Sequence, residues 1–268
     1  MNNRCNRWLT INPLHLVLSA SLFCIFCFCW GFTTCAAQMP EIQHRGYLII
    51  GVKDNLRPLG FRDAHGNLQG LEIDLAKRLA LDLLGKPDAV KLQPVANRDR
   101  LSLVLNKKVD LVIARVTANE SRARLVSLSV PYYYDGATIV TKNTFVRQLS
   151  DLANRKIAVI NNSSTIAQIR YYAPKAELVG VNSYQEGRSL TENNTVVAFA
   201  ADATVLSGWV QQYPQYRLLP TKLSTEPLSV VMPKGLQYDD LRRQVNQAIA
   251  EYTATGWLKQ RVEYWALP

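Results

Sequence analysis

The feature that most limits the possible folds of this chain is an alternation of short apolar runs with segments of helical periodicity. The apolar runs have the length of single buried strands and cover residues 47–52, 109–114, 156–160 and 196–200. Between them, apolar residues recur every three to four positions, as on one face of a helix. A chain that alternates strands and helices in this way is predicted to have α/β architecture.

The helical segments divide the chain further. The clearest one covers residues 71–84, where leucines recur every four positions from Leu71 to Leu83. Gly85 follows it, as a helix C-cap would. Further helices are predicted near residues 101–105, after 161–165 up to about 172, over 236–252, and from 256 onward. Two successive α/β sets followed by a terminal helical segment predict two lobes.

Composition excludes several other classes of protein. The chain has 268 residues, of which 48% are apolar and 19% are charged. These fractions exclude intrinsic disorder, a collagen-like repeat and low complexity. The length fits one large domain or two of modest size.

The first 37 residues read as a secretory signal peptide. Arg4 and Arg7 form a basic head, residues 14–30 are nearly all apolar, and small residues lead up to Ala37. This order is typical of a cleaved export signal, so we expect a periplasmic protein. An uncleaved membrane anchor is the alternative, because the apolar run is long enough to span a bilayer.

Lipidation at Cys35 is a second alternative. Bacterial lipoproteins usually place Leu three residues before the modified Cys and Gly or Ala directly before it. Here those positions hold Phe32 and Thr34, so the pattern fits poorly.

Cleavage after residue 37 would remove all five Cys and leave two His, His44 and His65. A disulfide scaffold, thiol catalysis and a Cys-based zinc site are then excluded, and we expect no metal and no cofactor. Residues 38–268 contain 29 basic and 21 acidic residues, a net charge of +8. The basic residues are scattered rather than arranged in a stripe, so we do not expect nucleic acid as a partner.

Polar residues follow each of the four predicted strands. Ligands of α/β sheets bind at the carboxyl ends of the strands, so these residues are candidates for a binding site. In chain order they are Lys53, Asp54 and Asn55, then Arg115, Thr117 and Arg122, then Asn161, Asn162, Ser163 and Ser164, and finally Asp202.

Several of the candidates, and Arg100 with them, also have a purely structural interpretation. Ser163 or Ser164 is suited to cap a helix, and so is Asp202. Arg122 falls in a polar segment that reads as a solvated loop, and Arg100 on a predicted helix is suited to a surface ion pair.

Taken together, the candidates suit one ligand chemistry. Arg122 can bind a carboxylate through two N–H groups, and a helix that starts at Ser163-Ser164 adds attraction for an anion. Asp202 can pair with an ammonium group. This set of partners matches an α-amino acid.

Two segments carry a family resemblance. GVKDNLRPLGFRDAHGNLQGLEIDLAKRLA (51–80) resembles the G-x-x-x-x-x-P-P-F opening and G-F-D-I-D-L-A helix of bacterial extracellular solute-binding proteins of the polar amino-acid class, family 3. VDLVIARVTANESRARLVSLSVPYYYDG (109–136) resembles the family's D-x-x-x-x-x-x-[ST]-x-T-x-x-R segment and P-Y-Y hinge. The resemblance covers about residues 45–265.

The resemblance implies a two-lobed periplasmic-binding-protein fold of type II with a hinge. Lobe 1 would comprise residues 41–139 and 230–268, and lobe 2 residues 140–229. It also implies that the ligand is held between the lobes and that hinge closure buries it.

The resemblance assigns roles to several residues by position. Arg122 would hold the α-carboxylate, with Thr117 and the backbone near Ala114 in support. Ser163 and Ser164 would contact the ligand from lobe 2, and Asp202 would bind the α-amino group.

Departures from the family pattern concern the ligand's side chain. Lys53 stands where many members have an acid, which argues against basic ligands. Arg100 aligns with an arginine that reaches the side-chain carboxylate in members that bind glutamate or aspartate. Arg115 replaces a small residue and adds another cation.

The expected function is therefore the periplasmic substrate-binding component of an ABC importer for glutamate or aspartate. Its partners would be a permease and an ATPase, and the protein is expected to be a monomer. Glutamine remains an alternative ligand. Two other classes stay open: an exported dehydratase-like enzyme using Asp202 or Glu72 as acid or base, and a sensor subunit.

Overall fold

The structure, a computed structural model, describes residues 38–268. In this range the strands are β1 (Leu48–Val52), β2 (Asn55–Leu56), β3 (Gly60–Arg62), β4 (Leu68–Gln69), β5 (Val90–Pro94), β6 (Leu111–Ile113), β7 (Ser127–Leu128), β8 (Tyr133–Asp135), β9 (Ala137–Thr141), β10 (Lys156–Ile160), β11 (Glu177–Val181), β12 (Ala198–Asp202), β13 (Arg217–Leu218), β14 (Glu226–Leu228) and β15 (Val231–Met232).

The α-helices of the same range are α1 (Met39–Arg45), α2 (Leu71–Leu84), α3 (Arg100–Leu105), α4 (Glu120–Leu125), α5 (Thr165–Tyr172), α6 (Tyr184–Glu192), α7 (Ala203–Gln212), α8 (Asp239–Ala254) and α9 (Trp257–Tyr264). Short 3-10 turns cover Asn97–Asp99, Leu149–Leu152 and Leu236–Tyr238.

The first sheet has the strand order β5-β1-β6-β15-β7. β1 pairs in parallel with both β5 and β6, and Ile50 lies opposite Leu92 on one side and Leu111 on the other. β15, from the C-terminal part of the chain, pairs antiparallel with β6 and β7. Because β5, β1 and β6 are parallel, their carboxyl ends lie at one edge, which we call the first edge.

The second sheet repeats this plan with the order β11-β10-β12-β9-β13. β10 pairs in parallel with β11 and β12, while β9 runs antiparallel to β12 and β13. The carboxyl ends of β11, β10 and β12 therefore also lie at one edge, which we call the second edge.

A two-stranded ribbon connects the sheets. β8 leads from the first sheet into the second and pairs antiparallel with β14, which leads back, so that Tyr134 lies opposite Pro227. Asp135 is the last residue of β8 and lies opposite Glu226. The lobe limits 41–139 with 230–268, and 140–229, stay a prediction.

Each sheet is buried on both faces, as its strand sequences require. On β6, Leu111 and Ile113 pack into the core that also contains residues of α2 and α8, while Val112 packs into the opposite core. On β12, Ala200 and Phe199 likewise face opposite cores. Helices on two faces of a sheet whose strands are apolar throughout give the layered α/β architecture.

Most of the predicted elements are confirmed. α2 covers the predicted residues 71–84, and Gly85 ends it in the left-handed conformation with φ 77°. The predicted strand 156–160 is β10, and α9 begins at Trp257 after Gly256.

Several predicted boundaries are wrong. The strand expected at 109–114 is β6, which covers only Leu111–Ile113. The strand expected at 196–200 is β12, which ends at Asp202, because Ala201 and Asp202 still pair with β9. The helix expected from residue 236 begins with a 3-10 turn, and α8 starts at Asp239.

The predicted signal peptide, residues 1–37 with Cys35, lies outside the described residues. Within residues 38–268, none of the helices combines the length and apolar character needed to cross a bilayer.

Candidate functional site

The first edge collects cationic side chains. Lys53 directly follows β1, Arg100 opens α3 shortly after β5, and Arg115 comes two residues after β6. Arg122 lies on α4, a few residues farther along the chain. The parallel pairing of β5, β1 and β6 thus brings the predicted cations to one side of the first sheet.

Lys53 is a buried cation with only 6% of its surface exposed. Its Nζ donates a hydrogen bond to the backbone oxygen of Val95 at 2.9 Å. Burial, and then the positive charge of Arg100, lower the pKa of Lys53. A bound anion near Lys53 would favour its charged form and so offset both effects on its pKa.

Arg100 is held by the backbone of the first edge. Its Nη1 donates to the oxygens of Ala114 at 2.9 Å and Arg115 at 2.6 Å, and its Nε donates to that of Asn97 at 3.0 Å. Burial lowers the pKa of Arg100, and the like charges of Arg122 and Arg115 lower it further. Arg100 lies on a helix as predicted, but its contacts are to backbone oxygens and not to a surface carboxylate.

Arg122 lies on α4 and not in the solvated loop expected from the sequence. The reason is local: Asn119 caps the helix, and its side-chain oxygen accepts a hydrogen bond from the Arg122 N–H at 3.0 Å. Arg122 Nη1 donates to the backbone oxygen of Thr117 at 2.5 Å. The Thr117 hydroxyl in turn donates to Glu226 on β14 at 3.4 Å.

Arg115 reaches away from the first sheet. Its Nη2 lies 2.7 Å from Oδ1 of Asp202 on the second sheet. Its Nε lies 3.0 Å from Oδ2 of Asp135 and 3.2 Å from the hydroxyl of Thr204. Burial alone would lower the pKa of Arg115, but the carboxylates of Asp202 and Asp135 outweigh burial and raise it.

The backbone of Arg115 has an unusual conformation with φ 50°. This left-handed region suits glycine and strains most other residues. Its N–H donates to Glu72 Oε1 at 2.6 Å, and Tyr132 donates its hydroxyl to the same oxygen at 2.6 Å. Glu72 is fully buried, and burial raises its pKa.

The second edge is neutral apart from Asp202. Ser163 and Ser164 follow β10, Tyr184 opens α6 shortly after β11, and Asp202 ends β12. The Tyr184 hydroxyl donates to Asp202 Oδ2 at 2.8 Å. Both sheets therefore present polar residues at the edges where Arg115 connects them.

The hydroxyls at the second edge do not act as helix caps. Ser164 occupies the N-cap position of α5 and Asp202 that of α7, yet neither side chain makes a capping hydrogen bond. The Oγ of Ser163 is buried and has no hydrogen-bond partner among the described residues. The capping interpretation, left open by the sequence, does not account for these side chains.

Sequence reasoning missed three members of this cluster: Asp135, Tyr184 and Thr204. Asp135 directly follows the tyrosines of the P-Y-Y segment, and a carboxylate in an otherwise apolar segment is a signal of burial with a partner. Tyr184 and Thr204 follow strands, as the predicted site residues do. Nothing local in the sequence indicated that Arg115 would join them.

A groove of about 420 Å³ adjoins the cluster at Tyr184. This volume lies within the range of small-molecule sites, about 300–1,000 Å³, but the lining of the groove includes none of the four cations described above and none of Ser163, Ser164 and Asp202. Residues after β1 form one wall and residues of α6 and α7 the other. Within the part of the chain that the structure describes, no group of three or more His, Cys, Asp or Glu side chains is placed to hold a metal ion.

Comparisons with known proteins find related sequences and structures. The profile of the bacterial extracellular solute-binding proteins, family 3, matches residues 48–268. A glutamine-binding protein of Geobacillus stearothermophilus is 30% identical over 195 residues, which are 72% of this chain and 74% of that protein.

Two solved structures share the fold. The solute receptor for L-cysteine of Neisseria gonorrhoeae has a TM-score of 0.66 at 28% identity and covers 85% of this chain and 93% of its own. An ancestral cationic amino acid solute-binding protein has a TM-score of 0.71 at 25% identity, with 85% and 98% covered. The predicted two-lobed α/β fold of type II is confirmed. The chain belongs to the bacterial extracellular solute-binding proteins, family 3.

Proposed function

We propose that this protein is the periplasmic binding component of an ABC importer for small acids with two carboxylates, glutamate and aspartate among the amino acids. The cation cluster at the first edge, Lys53, Arg100, Arg115 and Arg122, carries this proposal. Burial first, and then like-charge interactions between members, lower the pKa values of Lys53 and Arg100, so an anion bound there would be stabilised by several groups at once.

Each contact has a specific role in this proposal. Arg122 binds the first carboxylate, because apart from its bond to Thr117 its guanidinium N–H groups have no partner among the described residues. Thr117 and the backbone near Ala114 support the same carboxylate. Ser163 and Ser164 contact the ligand from the second edge.

The second carboxylate is bound by Arg100 and attracted by Lys53. A buried cation at Lys53 repels a ligand with a positive side chain, so arginine and lysine are disfavoured. Affinity in the micromolar range corresponds to about −8 kcal/mol, and a few charge-assisted hydrogen bonds of about 1.5–3 kcal/mol each supply enough after the costs of association.

The remaining parts of the importer are assigned to other components. Residues 1–37 are proposed to direct export, a permease to receive the closed protein, and a separate ATPase to supply energy. Hinge closure around the ligand would change the surface that the permease contacts. We propose that the chain acts as a monomer.

Glutamine is the second candidate ligand, because a relative that is 30% identical over 195 residues is a glutamine-binding protein. Its neutral amide would leave the positive charges near Lys53 and Arg100 without a counter-ion. The two ligands differ by that one group, so they form a matched pair for a test.

The experiment is titration calorimetry of protein purified after expression from the full-length sequence, with L-glutamate, L-aspartate, L-glutamine and L-arginine. We expect Arg100→Ala to weaken glutamate and aspartate about tenfold more than glutamine, as the loss of one charge-assisted contact. Arg98→Ala is the control, because Arg98 is a near neighbour with an 88% exposed side chain.

If Arg100→Ala weakens the binding of glutamate and of glutamine equally, the proposed role of Arg100 is contradicted. Tight binding of glutamine or arginine to the unchanged protein would keep the importer function and reject the acidic specificity. The ligand recovered after incubation is analysed by NMR, because conversion to a product would favour an exported enzyme over a binding protein.

A further inference from the structure

We infer that Arg115 occupies the position in which the ammonium group of an amino-acid ligand would bind, between Asp202 and Asp135. The cleft therefore selects small dicarboxylates that lack a charged amine over the corresponding amino acids. This inference rests on the proposed function and narrows its ligand class.

The oxygens of both carboxylates already have partners within the protein. Asp202 Oδ1 contacts Arg115 and Oδ2 accepts from Tyr184, at 2.7 and 2.8 Å. Asp135 Oδ1 accepts from the Thr204 N–H at 3.1 Å, and Oδ2 accepts from the Thr204 hydroxyl at 2.7 Å and from Arg115 at 3.0 Å. An incoming ammonium finds neither carboxylate without a positively charged partner.

Arg115 is held in place by hydrogen bonds to both polar groups of its backbone. Its N–H is bound by Glu72 and its oxygen by Arg100, each at 2.6 Å. Its side chain is only 17% exposed, and that of Asp135 is fully buried. The guanidinium is thus a fixed, largely buried group and not a mobile surface side chain.

Displacing Arg115 from Asp202 would be energetically unfavourable. A ligand ammonium could reach Asp202 only by breaking the ion pair with Arg115. The displaced guanidinium would lose both carboxylate partners, while the like charge of Arg100 already acts on it. A dicarboxylate without an amine leaves the ion pair intact and adds negative charge near three arginines.

The test compares glutarate with L-glutamate, which differ only in the ammonium group. Calorimetry uses protein expressed from the full-length sequence, unchanged or with Arg115→Gly. In the unchanged protein we expect glutarate to bind at least about tenfold more tightly than glutamate. Glycine suits the φ of 50° and exposes both carboxylates, so Arg115→Gly is expected to reduce this preference at least about tenfold.

Lys107→Gly is the matched control. It also removes one positive charge from a residue with a left-handed φ, 56°, but at an exposed position after α3. We expect it to leave the ratio of the two affinities unchanged. Thermal unfolding verifies that both variants fold. The ratio of the glutarate and glutamate affinities in the unchanged protein is measured without any variant.

The outcomes separate this inference from the proposed function. If glutamate binds the unchanged protein as tightly as glutarate, or if Arg115→Gly leaves the ratio unchanged, the inference is wrong while the proposed function stands. If no dicarboxylate and no acidic amino acid binds, the proposed function fails and the inference fails with it. Because glutamate and glutamine both carry the ammonium, the Arg100 test does not depend on Arg115.

Discussion

The first edge and the second edge have the same topology but different chemistry. In each sheet, three parallel strands end side by side, and polar residues follow them. After the strands of the first sheet come the cations Lys53, Arg100 and Arg115. After those of the second sheet come the hydroxyls of Ser163 and Ser164 and the single carboxylate of Asp202.

This difference shows that the fold supplies the positions while a few residues after the strands supply the chemistry. The first edge holds fixed positive charge, supported by backbone oxygens and by Glu72. The hydroxyl groups of the second edge are neutral and interact more weakly with an anionic ligand. The affinity for the proposed ligand is therefore expected to depend much more on residues of the first edge than on residues of the second edge.

The largest effect is expected at Arg122. Arg122→Ala removes the side chain assigned to the first carboxylate, and we expect every ligand to lose about 1.5–3 kcal/mol, roughly 10- to 150-fold in affinity. Glutamate and glutamine should lose equally, because both carry that carboxylate. Titration calorimetry measures the losses.

Arg124→Ala is the matched control for Arg122→Ala. Arg124 lies on the same helix, α4, and is exposed. We expect the Arg124→Ala variant to bind ligand with the same affinity as the unchanged protein. If both substitutions weaken binding to the same extent, the contribution of α4 is general electrostatic attraction and not a specific contact.

The sequence predicts the positions of this site better than its contacts. Lys53, Ser163 and Asp202 were identified because each follows an apolar run, and apolar runs are local signals of buried strands. The partners of Arg115 could not be found in this way, because Asp135 and Thr204 lie 20 and 89 residues away along the chain. Such contacts depend on how the two sheets are joined.

Arg122 shows a different limit. Its helix α4 has six residues and none of them is buried, so no apolar periodicity marks it. The N-cap Asn119 was the available signal. For Arg115, a non-glycine residue with positive φ is invisible in the sequence, although the replacement of a small residue in the family pattern indicated an unusual position.

The next largest effect concerns Glu72, which supports the first edge from within the core. Burial raises its pKa above the ordinary value of 4.5, although Tyr132, Arg115 and Arg100 act in the opposite direction. As pH rises above 4.5, Glu72 therefore stays protonated to a higher pH in the folded state than in the unfolded state. The contribution of Glu72 to the free energy of unfolding thus falls as pH rises through this window, until the folded pKa is passed.

Glu72→Gln should remove this decline. We expect the free energy of unfolding of the variant, relative to the unchanged protein, to rise with pH above 4.5. The slope for one proton is at most about 1.4 kcal/mol per pH unit. Urea unfolding at pH values from about 4 to 8 measures it. Glu120→Gln, which removes an exposed carboxylate, is the control, and parallel pH profiles for both variants would contradict this role of Glu72.

The smallest effect is expected at the second edge, at Ser163. Its buried Oγ has no partner among the described residues, and such a group lowers stability. Ser163→Ala should therefore raise the free energy of unfolding of the ligand-free protein by about 1 kcal/mol and weaken ligand binding by a similar amount. If Ser163→Ala raises the free energy of unfolding and lowers ligand affinity, the hydroxyl contributes to ligand binding at the expense of stability. A gain in stability with unchanged affinity would instead assign ligand recognition to the first edge alone, and a loss of stability would mean that the hydroxyl has a structural partner.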